Sequence, residues 1–208
     1  MAGKNHGFDR VVLVLQGGGA RGAYHMGAYK AMEEAGYIPD VYCGISIGAL
    51  SACVLAGNDD DTRYSKLQEF WNEITWPEFL DTSKVPMNDA IKKWHNQMAS
   101  LQAVMFGQPN FFTPWFPPPQ FQAKGTSAAT SYYDTSKLKD TLTRLSNFDL
   151  FNKQKKTRLV TGATRIKTGE LVFFDSANAP LSVDNVVASG SLPPGFPGTT
   201  INGELYWD

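Results

Sequence analysis

Residues 41–57 read VYCGISIGALSACVLAG, and this stretch decides the fold. A short apolar strand over Pro39 to Cys43 runs into a sharp turn, and a helix rich in alanine, leucine and serine follows from Ser46 to Gly57. The turn, Gly44-Ile45-Ser46-Ile47-Gly48, matches the pattern Gly-x-Ser-x-Gly. Small residues are needed two positions from the serine because side chains there collide with the adjoining strand and helix. The stretch therefore predicts a strand, a tight turn that carries Ser46, and a helix.

A second unit of the same kind lies upstream. Arg10 to Leu15 predicts a strand, glycines follow it at once, and a helical pattern extends from about Gly22 to Ala35. Two such units in succession indicate parallel strands joined by crossover helices, with the turns at the carboxyl ends of the strands. We therefore expect an α/β fold: a three-layer α/β/α domain with a mostly parallel central sheet over residues 9–208, preceded by a flexible segment over residues 1–8.

The middle of the chain, about residues 59–133, is interpreted as an insertion. Amphipathic spacing predicts helices over Thr62 to Ile74 and over Met87 to Met105. Gly107 to Thr130 is rich in proline and aromatic residues, which excludes a helix interior or a central strand and predicts a long loop. That loop is either functional or mobile, or an irregular cover over an apolar flank. Four side chains of the helices are predicted to face inward: Phe70, Trp71, Leu101 and Val104.

The rest of the chain predicts elements that extend the same domain. Helices are expected over Asp134 to Leu145 and over Pro180 to Ser189. Strands are expected over Arg158 to Thr164 and over Glu170 to Phe174, joined as a hairpin. The chain then ends in a strand-like run without a turn or cap after it, so we expect the C-terminal part of the domain to be missing.

The composition argues against a strongly charged partner. The chain has 19 Lys and Arg against 20 Asp and Glu, so it lacks a field of one sign that would attract nucleic acid. The N-terminus lacks the pattern of a signal peptide, and no apolar run approaches the ~18 residues needed to span a bilayer. Cys43 and Cys53 lie in apolar segments and are interpreted as buried thiols in a reducing compartment. We therefore expect a cytoplasmic protein, and the oligomeric state stays open.

Ser46 is the first candidate for chemistry. A hydroxyl at the amino end of a helix lies at the positive end of the helix dipole, which favours an oxyanion. The same position also suits a serine that only caps the helix. Both interpretations are kept at this point.

The segment Gly17-Gly18-Gly19-Ala20-Arg21-Gly22 also has two interpretations. It satisfies Gly-x-Gly-x-x-Gly after a strand, which is typical of dinucleotide-binding folds. Those folds hold the ribose with an acidic residue at the carboxyl end of the next strand, whereas Asp40 lies before Val41 to Cys43, at the wrong end of that strand. In the alternative, the amide groups of the three glycines and of Ile47 stabilise the oxyanion of an ester under attack.

A serine nucleophile needs a proton acceptor, and no histidine is a convincing one. His6 lies in the expected flexible segment, His95 lies in the helical insertion, and His25 suits a place on the surface or a supporting role. A carboxylate is an alternative base if burial raises its pKa toward neutrality, because an exposed aspartate is a poor acceptor of a serine proton.

Three segments resemble the patatin-like phospholipase family in their order and spacing: the glycine loop 17–22, the turn 44–48 and a C-terminal stretch. That stretch includes Ala188-Ser189, Pro193, Pro194, Phe196-Pro197 and Tyr206-Trp207-Asp208. The resemblance implies a Ser-Asp dyad without histidine, and Asp208 stands where the family has the aspartate of an Asp-Gly-Gly or Asp-Gly-Ala motif. The glycine that should follow is absent, because the sequence ends there. About residues 59–133, the resemblance is weak.

The resemblance implies a serine acyl hydrolase that cleaves lipid esters, of phospholipase A or lipase type. Ser46 is the expected nucleophile, Asp208 its base, and Arg21 is expected to help organise the glycine loop. The glycines Gly22, Gly44 and Gly48 support the loop and the turn. No cofactor or metal is predicted.

The expected partner is a lipid or another acyl ester. The aromatic run from Phe111 to Phe121 either touches a membrane, as a peripheral contact, or caps an apolar acyl site. Two alternative functions stay open: a nucleotide-binding oxidoreductase, and a lipid-binding or scaffold domain that is catalytically inactive because of the truncation.

Overall fold

A computed structural model describes residues 7–77 and 88–208. Of the expected flexible segment over residues 1–8, residues 1–6 lie outside the described part of the chain, as does Met87 at the start of one predicted helix. The strands are β1 (Val12–Leu15), β2 (Val41–Ile45), β3 (Thr113–Pro114), β4 (Tyr133–Asp134), β5 (Arg158–Arg165), β6 (Glu170–Asp175), β7 (Thr199–Ile201) and β8 (Glu204–Trp207). The helices are α1 (Tyr24–Glu34), α2 (Ile47–Ala56), α3 (Arg63–Glu73), α4 (Asp89–Phe106), α5 (Ser127–Thr130), α6 (Ser136–Leu145), α7 (Asp149–Asn152) and α8 (Val183–Ser189).

Six of the strands form one mixed sheet. β1, β2 and β5 pair in parallel, as the two strand–turn–helix units predict. β6 and β8 are each antiparallel to β5. β7 is antiparallel to β8, so it runs in the same direction as β1, β2 and β5. The α/β class with a mainly parallel sheet is therefore confirmed.

The pairing of β8 with β5 brings the turn after β2 close to the C-terminal residue of the chain. β2 pairs with β5 as far as Ile45 opposite Gly162, and β8 pairs with β5 from Trp207 opposite Thr164. β6 occupies the other edge of β5 along these residues, so β2 and β8 share one edge and approach each other end to end. The residues that follow the two strand ends, at 46 and 208, consequently converge.

The helices that contact the six-stranded sheet pack on one of its faces. Leu13, Tyr42 and Leu159 point to that face, where they meet Tyr29 of α1 and Phe70 of α3 in a single buried cluster. The opposite face, which we call the open sheet face, carries apolar side chains that are exposed: Val12, Val14, Ile45, Leu171, Phe173 and Leu205. The part of the chain that the structure describes thus supplies one of the two helical layers expected for a three-layer domain.

The insertion follows the predicted elements but not their predicted packing. Phe70 and Trp71 of α3 are buried, as expected. The prediction that Leu101 and Val104 of α4 face inward is wrong, because these side chains are 52% and 62% exposed. Their spacing marks an apolar stripe correctly, but which surface the stripe faces depends on where the whole helix is placed.

The Pro- and aromatic-rich loop is largely irregular, as predicted. Within it and just after it, the short strands β3 and β4 form a two-stranded ribbon, and Pro119–Phe121 makes one turn of 3-10 helix. Further on, β5 and β6 form the predicted hairpin. α8 begins at Val183, after a capping box in which Ser182 and Asn185 bind each other's backbone amides.

Candidate active site

Ser46 lies on a sharp turn between β2 and α2. Its backbone has φ 57° and ψ −133°, a strained conformation for a residue other than glycine. A Cβ added to Gly44 would lie 2.3 Å from the carbonyl oxygen of Gly48, and one added to Gly48 would lie 2.1 Å from that of Leu15. Both positions therefore require glycine, as the pattern Gly-x-Ser-x-Gly predicts.

A residue distant in the sequence holds this turn. The backbone amide of Ser46 donates to Oγ of Ser189, the last residue of α8, at 3.0 Å. Ser189 is fully buried. Although Ser189 belongs to one of the matching segments, sequence reasoning missed this contact, since nothing local indicates a bond between residues 143 positions apart.

The glycine loop runs directly beside Ser46. β1 and β2 are adjacent and parallel, so the loop after β1 and the turn after β2 lie at the same edge of the sheet. A Cβ on Gly17 would lie 2.9 Å from Cβ of Ser46, which shows how closely the loop approaches the serine. Gly18 and Gly19 have φ of 137° and 57°, values that favour glycine.

A short 3-10 helix, Gly19–Ala23, continues the loop. A Cβ on Gly22 would lie 2.8 Å from Cγ2 of Ile47, so this 3-10 helix packs on the start of α2. The first amides of a helix have no acceptor within the helix, and two such helix starts meet around Ser46. Arg21 is exposed, and its amide donates to the Gly18 carbonyl at 3.3 Å, which closes the loop.

Asp208 follows β8 and reaches the serine. The side chains of Ser46 and Asp208 line the same cavity. Burial raises the pKa of the Asp208 carboxyl above the ordinary aspartate value, and the nearby Ser46 side chain offsets part of that rise. The Asp208 amide donates to the carbonyl of Ser191 at 3.0 Å, so the end of α8 and the residues just after it contact both Ser46 and Asp208.

The two histidines in the described residues lie elsewhere. The ring of His25 is buried, and its Nδ1 lies 3.4 Å from Oγ of Ser51 on α2. His95 lies on α4 and is absent from the lining of the cavity above Ser46. His6 lies outside the described residues. The dinucleotide interpretation needs an acidic residue beside the glycine loop. Asp40 instead lies at the amino end of β2, away from that loop, where its carboxylate accepts a hydrogen bond from the Val11 amide.

An apolar cavity of about 290 Å³ opens above Ser46. Gly19, Ala20, Ser46, Ile47 and Asp208 form its floor. Its apolar walls come from α2, α3, the aromatic loop and the turn after α8: Leu50, Trp71, Ile74, Phe111, Phe112, Leu192 and Phe196. Of the predicted catalytic and oxyanion residues, Ser46, Asp208, Gly19 and Ile47 line this cavity, whereas Gly17 and Gly18 do not.

Some aromatic side chains of the Pro- and aromatic-rich loop line the cavity, and others lie on the surface. Phe111 and Phe112 line the cavity, and the Phe112 ring lies 5.0 Å from the ring of Phe196. Phe116 and Phe121 are 94% and 73% exposed. These wall residues were not predicted individually, because their place depends on how the loop folds back on the turn after α8.

Three comparisons relate the chain to known proteins. A 72-residue segment, 35% of this chain, is 43% identical to neuropathy target esterase sws of Drosophila melanogaster and of Drosophila sechellia. The chain spans 5% of the length of each of these relatives. Among solved structures, VipD from Legionella pneumophila has a TM-score of 0.47 at 18% identity, covering 97% of this chain and 46% of that one. ExoU from Pseudomonas aeruginosa, solved with SpcU, has a TM-score of 0.43 at 20% identity, covering 90% and 39%.

The match to a family extends over nearly the whole domain. The family described as patatin-like phospholipase matches residues 13–208, from β1 to the last residue of the chain. That range holds the glycine loop, the strained turn and Asp208, which lines the same cavity as Ser46. The chain therefore belongs to the patatin-like phospholipase family.

Proposed function

We propose that this chain hydrolyses carboxylic esters of lipids, as a phospholipase A or a lipase, with Ser46 as nucleophile and Asp208 as base. The observation that carries the proposal is that Ser46 and Asp208, which are far apart in the sequence, line the same apolar cavity. Family membership supports lipid ester hydrolysis in general, and the apolar cavity walls favour an acyl chain as the bound group.

The proposed reaction follows from the positions of these groups. Asp208 accepts the hydroxyl proton as Ser46 Oγ bonds to the ester carbonyl carbon. The carbonyl oxygen gains the negative charge, and the amides of the glycine loop and of Ile47 stabilise it. When the intermediate collapses, the alcohol leaves with the proton from Asp208. Water then attacks the acyl carbon, with Asp208 again accepting the proton. The bond between the acyl carbon and Ser46 Oγ breaks, the proton passes from Asp208 to Oγ, and the fatty acid is released.

The raised pKa of Asp208 supports its role as base. An aspartate in water binds a proton too weakly to take one from a serine. Because burial raises the pKa of Asp208, its carboxylate is a stronger base than an exposed one. We propose that Arg21 keeps the glycine loop closed through its amide, which donates to Gly18.

Turnover of a soluble chromogenic short-chain ester tests this function. The unaltered chain should release the chromophore, and Ser46→Ala should abolish the release. Ser65→Ala is the matched control, because Ser65 is exposed on α3 and its hydroxyl bonds only to the backbone of its own helix start. Full turnover by Ser46→Ala would exclude the assignment. An unaltered chain that binds lipid without turnover would instead support the lipid-binding or scaffold alternative.

We further propose that the site works at a membrane surface through exposed apolar side chains near the cavity. One face of α4 carries Ile91, Trp94, Met98, Leu101 and Met105, all exposed. Ala103 of the same helix lines the cavity, and the exposed Phe116 and Phe121 belong to the loop whose Phe111 and Phe112 form its wall. Apolar and aromatic side chains grouped in this way suit the boundary between water and lipid.

Vesicle sedimentation tests the membrane contact. Phosphatidylcholine vesicles, with and without phosphatidylserine, should pellet the unaltered chain. The pairs Phe116→Ser with Phe121→Ser, and Leu101→Ser with Met105→Ser, should weaken binding while hydrolysis of the soluble ester continues. Val14→Ser removes an equally exposed apolar group from the open sheet face and is the control. Unchanged binding by both pairs would contradict the proposal. The expected cytoplasmic location stays a prediction.

A further inference from the structure

One short segment at the end of α8 holds the backbones of both the nucleophile and the base. The Ser46 amide donates to Oγ of Ser189 at 3.0 Å. The Asp208 amide donates to the carbonyl of Ser191, also at 3.0 Å. A single residue separates these two anchors in the sequence. The position of Asp208 relative to Ser46 therefore depends on the conformation of residues 189–191.

The side chain of Ser191 is buried and makes two hydrogen bonds of its own. Its Oγ donates to the carbonyl of Val187, one turn earlier on α8, at 2.9 Å. The same Oγ lies 2.8 Å from Oγ1 of Thr199, which is buried on β7. A hydroxyl has one proton to donate. Because the Ser191 proton serves Val187, the Thr199 hydroxyl is the donor in the second bond.

These bonds connect the end of α8 to the pair of strands that Asp208 follows. Thr199 of β7 pairs with Tyr206 of β8, two residues before Asp208. β8 pairs with β5 as far as Trp207, and the bond to the Ser191 carbonyl then holds the backbone of Asp208. Ser191 therefore contacts this part of the sheet at two points, through its hydroxyl on β7 and through its carbonyl just after β8.

We propose that Ser191 is a positioning residue. Its hydroxyl, held between Val187 and Thr199, fixes the carbonyl that anchors Asp208 and so keeps the carboxylate within reach of Ser46. This inference rests on the proposed ester hydrolysis. Ser191 is absent from the lining of the cavity, so it acts through the base and not on the ester. A displaced base slows proton transfer without changing how the ester binds, so the effect belongs in kcat and not in KM.

Ser191→Ala removes the hydroxyl and keeps the backbone that anchors Asp208. Loss of a whole general base lowers the rate by ~10²-fold to 10⁴-fold, and a displaced base should lower it less. We therefore expect Ser191→Ala to reduce kcat on the soluble ester by ~10-fold with KM nearly unchanged. Ser176→Ala is the matched control, because Ser176 is an equally buried serine whose Oγ accepts from the Leu159 amide, near the amino end of β5 and away from Ser46. It should keep kcat.

The second partner of the Ser191 hydroxyl allows a conservative rescue. Thr199→Val fills the same space and donates nothing, whereas Thr199→Ser keeps the hydroxyl. We expect Thr199→Val to lower kcat, by less than Ser191→Ala does, because the bond to Val187 is kept. Thr199→Ser should recover most of the loss. Equal losses for the two Thr199 variants would contradict the proposed link from β7 through Ser191 to the base.

Combining Ser191→Ala with Asp208→Asn separates positioning of the base from a general effect on the fold. Thermal melting first sets a temperature at which all variants are folded. Without the base there is nothing to position, so Ser191→Ala should no longer slow the reaction of a fluorophosphonate with Ser46. The same slowing in both backgrounds would show that Ser191 does not act through Asp208.

Two further results would overturn the proposal. Equal kcat for Ser191→Ala and the unaltered chain would show that the hydroxyl only stabilises the fold. An unaltered chain that neither turns over the ester nor reacts at Ser46 with a fluorophosphonate would instead contradict the proposed function, and this inference with it.

Discussion

At the residue scale, the buried Ser189 hydroxyl is the acceptor for the Ser46 amide. Ser189→Ala leaves that amide at the strained turn without its partner, and an unsatisfied buried donor costs ~1–3 kcal/mol. We expect the free energy of unfolding to fall by that amount in urea titrations, with a parallel fall in kcat as Ser46 shifts. Ser65→Ala, on the surface of α3, should change the free energy of unfolding by less than ~0.5 kcal/mol. Equal stabilities for the two variants would contradict this account of the turn.

The proposed role of Asp208 as base predicts how kcat/KM changes with pH. The base must be ionised, so kcat/KM should fall as the pH drops through the pKa of Asp208. Since burial raises that pKa, the acid limb should lie above the ordinary aspartate value of ~3.9. A pH–rate profile with the soluble ester measures it. An acid limb at or below that value would show that another group is the base.

The same carboxyl should lower the stability of the fold. Its pKa is higher in the folded chain than in the unfolded chain, so the folded chain binds more protons between the two values. The free energy of unfolding therefore falls as the pH rises from the unfolded pKa through the folded one. Asp208→Asn removes this effect, and we expect it to be more resistant to urea than the unaltered chain at neutral pH. A less stable variant would contradict the assigned burial cost.

At the scale of elements, the close contact between α2 and the end of β1 depends on Gly48. An added methyl group would lie 2.1 Å from the Leu15 carbonyl oxygen, which neither backbone can avoid without moving. Gly48→Ala should therefore lower the free energy of unfolding by ~3 kcal/mol or more. Gly27→Ala is the matched control, because its added Cβ has no atom within 4 Å and lies in α1, where alanine favours the helix by ~1 kcal/mol. Urea titration of both variants should give changes of opposite sign.

Some elements could be predicted from the sequence, whereas several of the contacts between elements could not. The strand, turn and helix around Ser46 were predictable because glycine spacing and apolar runs act within about fifteen residues. The orientation of Leu101 and Val104 was not, since an amphipathic pattern locates the apolar stripe of a helix and not its neighbour. The bond from Ser46 to Ser189, and the packing of Phe112 on Phe196, depend on segments brought together only by the whole fold.

At the scale of the whole molecule, the open sheet face is a large apolar surface. Leu171 and Phe173 on β6 are both exposed, and neighbouring strands extend the same face. Exposed apolar patches of this kind favour association in solution. We expect the chain to associate as its concentration rises, and the pair Leu171→Lys with Phe173→Lys to reduce that association without loss of ester turnover. Sedimentation velocity measures it, and identical profiles would show that this face is not responsible.

The proximity of Ser46 and Asp208 is a property of the whole molecule, because it arises where β2 and β8 meet along one edge of β5. The family resemblance implies this pair from the sequence, and the strand pairing accounts for the proximity of the two residues. No helix among residues 7–77 and 88–208 is long and apolar enough to cross a membrane.

The rate at which a fluorophosphonate reacts with Ser46 tests the central claim most directly, because it requires the activated serine and no particular lipid. Mass spectrometry of the labelled peptide identifies the site, and the unaltered chain should be labelled at Ser46. Asp208→Asn should react slower by ~10²-fold to 10⁴-fold, the usual contribution of a general base. Labelling of Asp208→Asn at the unaltered rate, or labelling of a residue other than Ser46, would contradict the Ser-Asp pair.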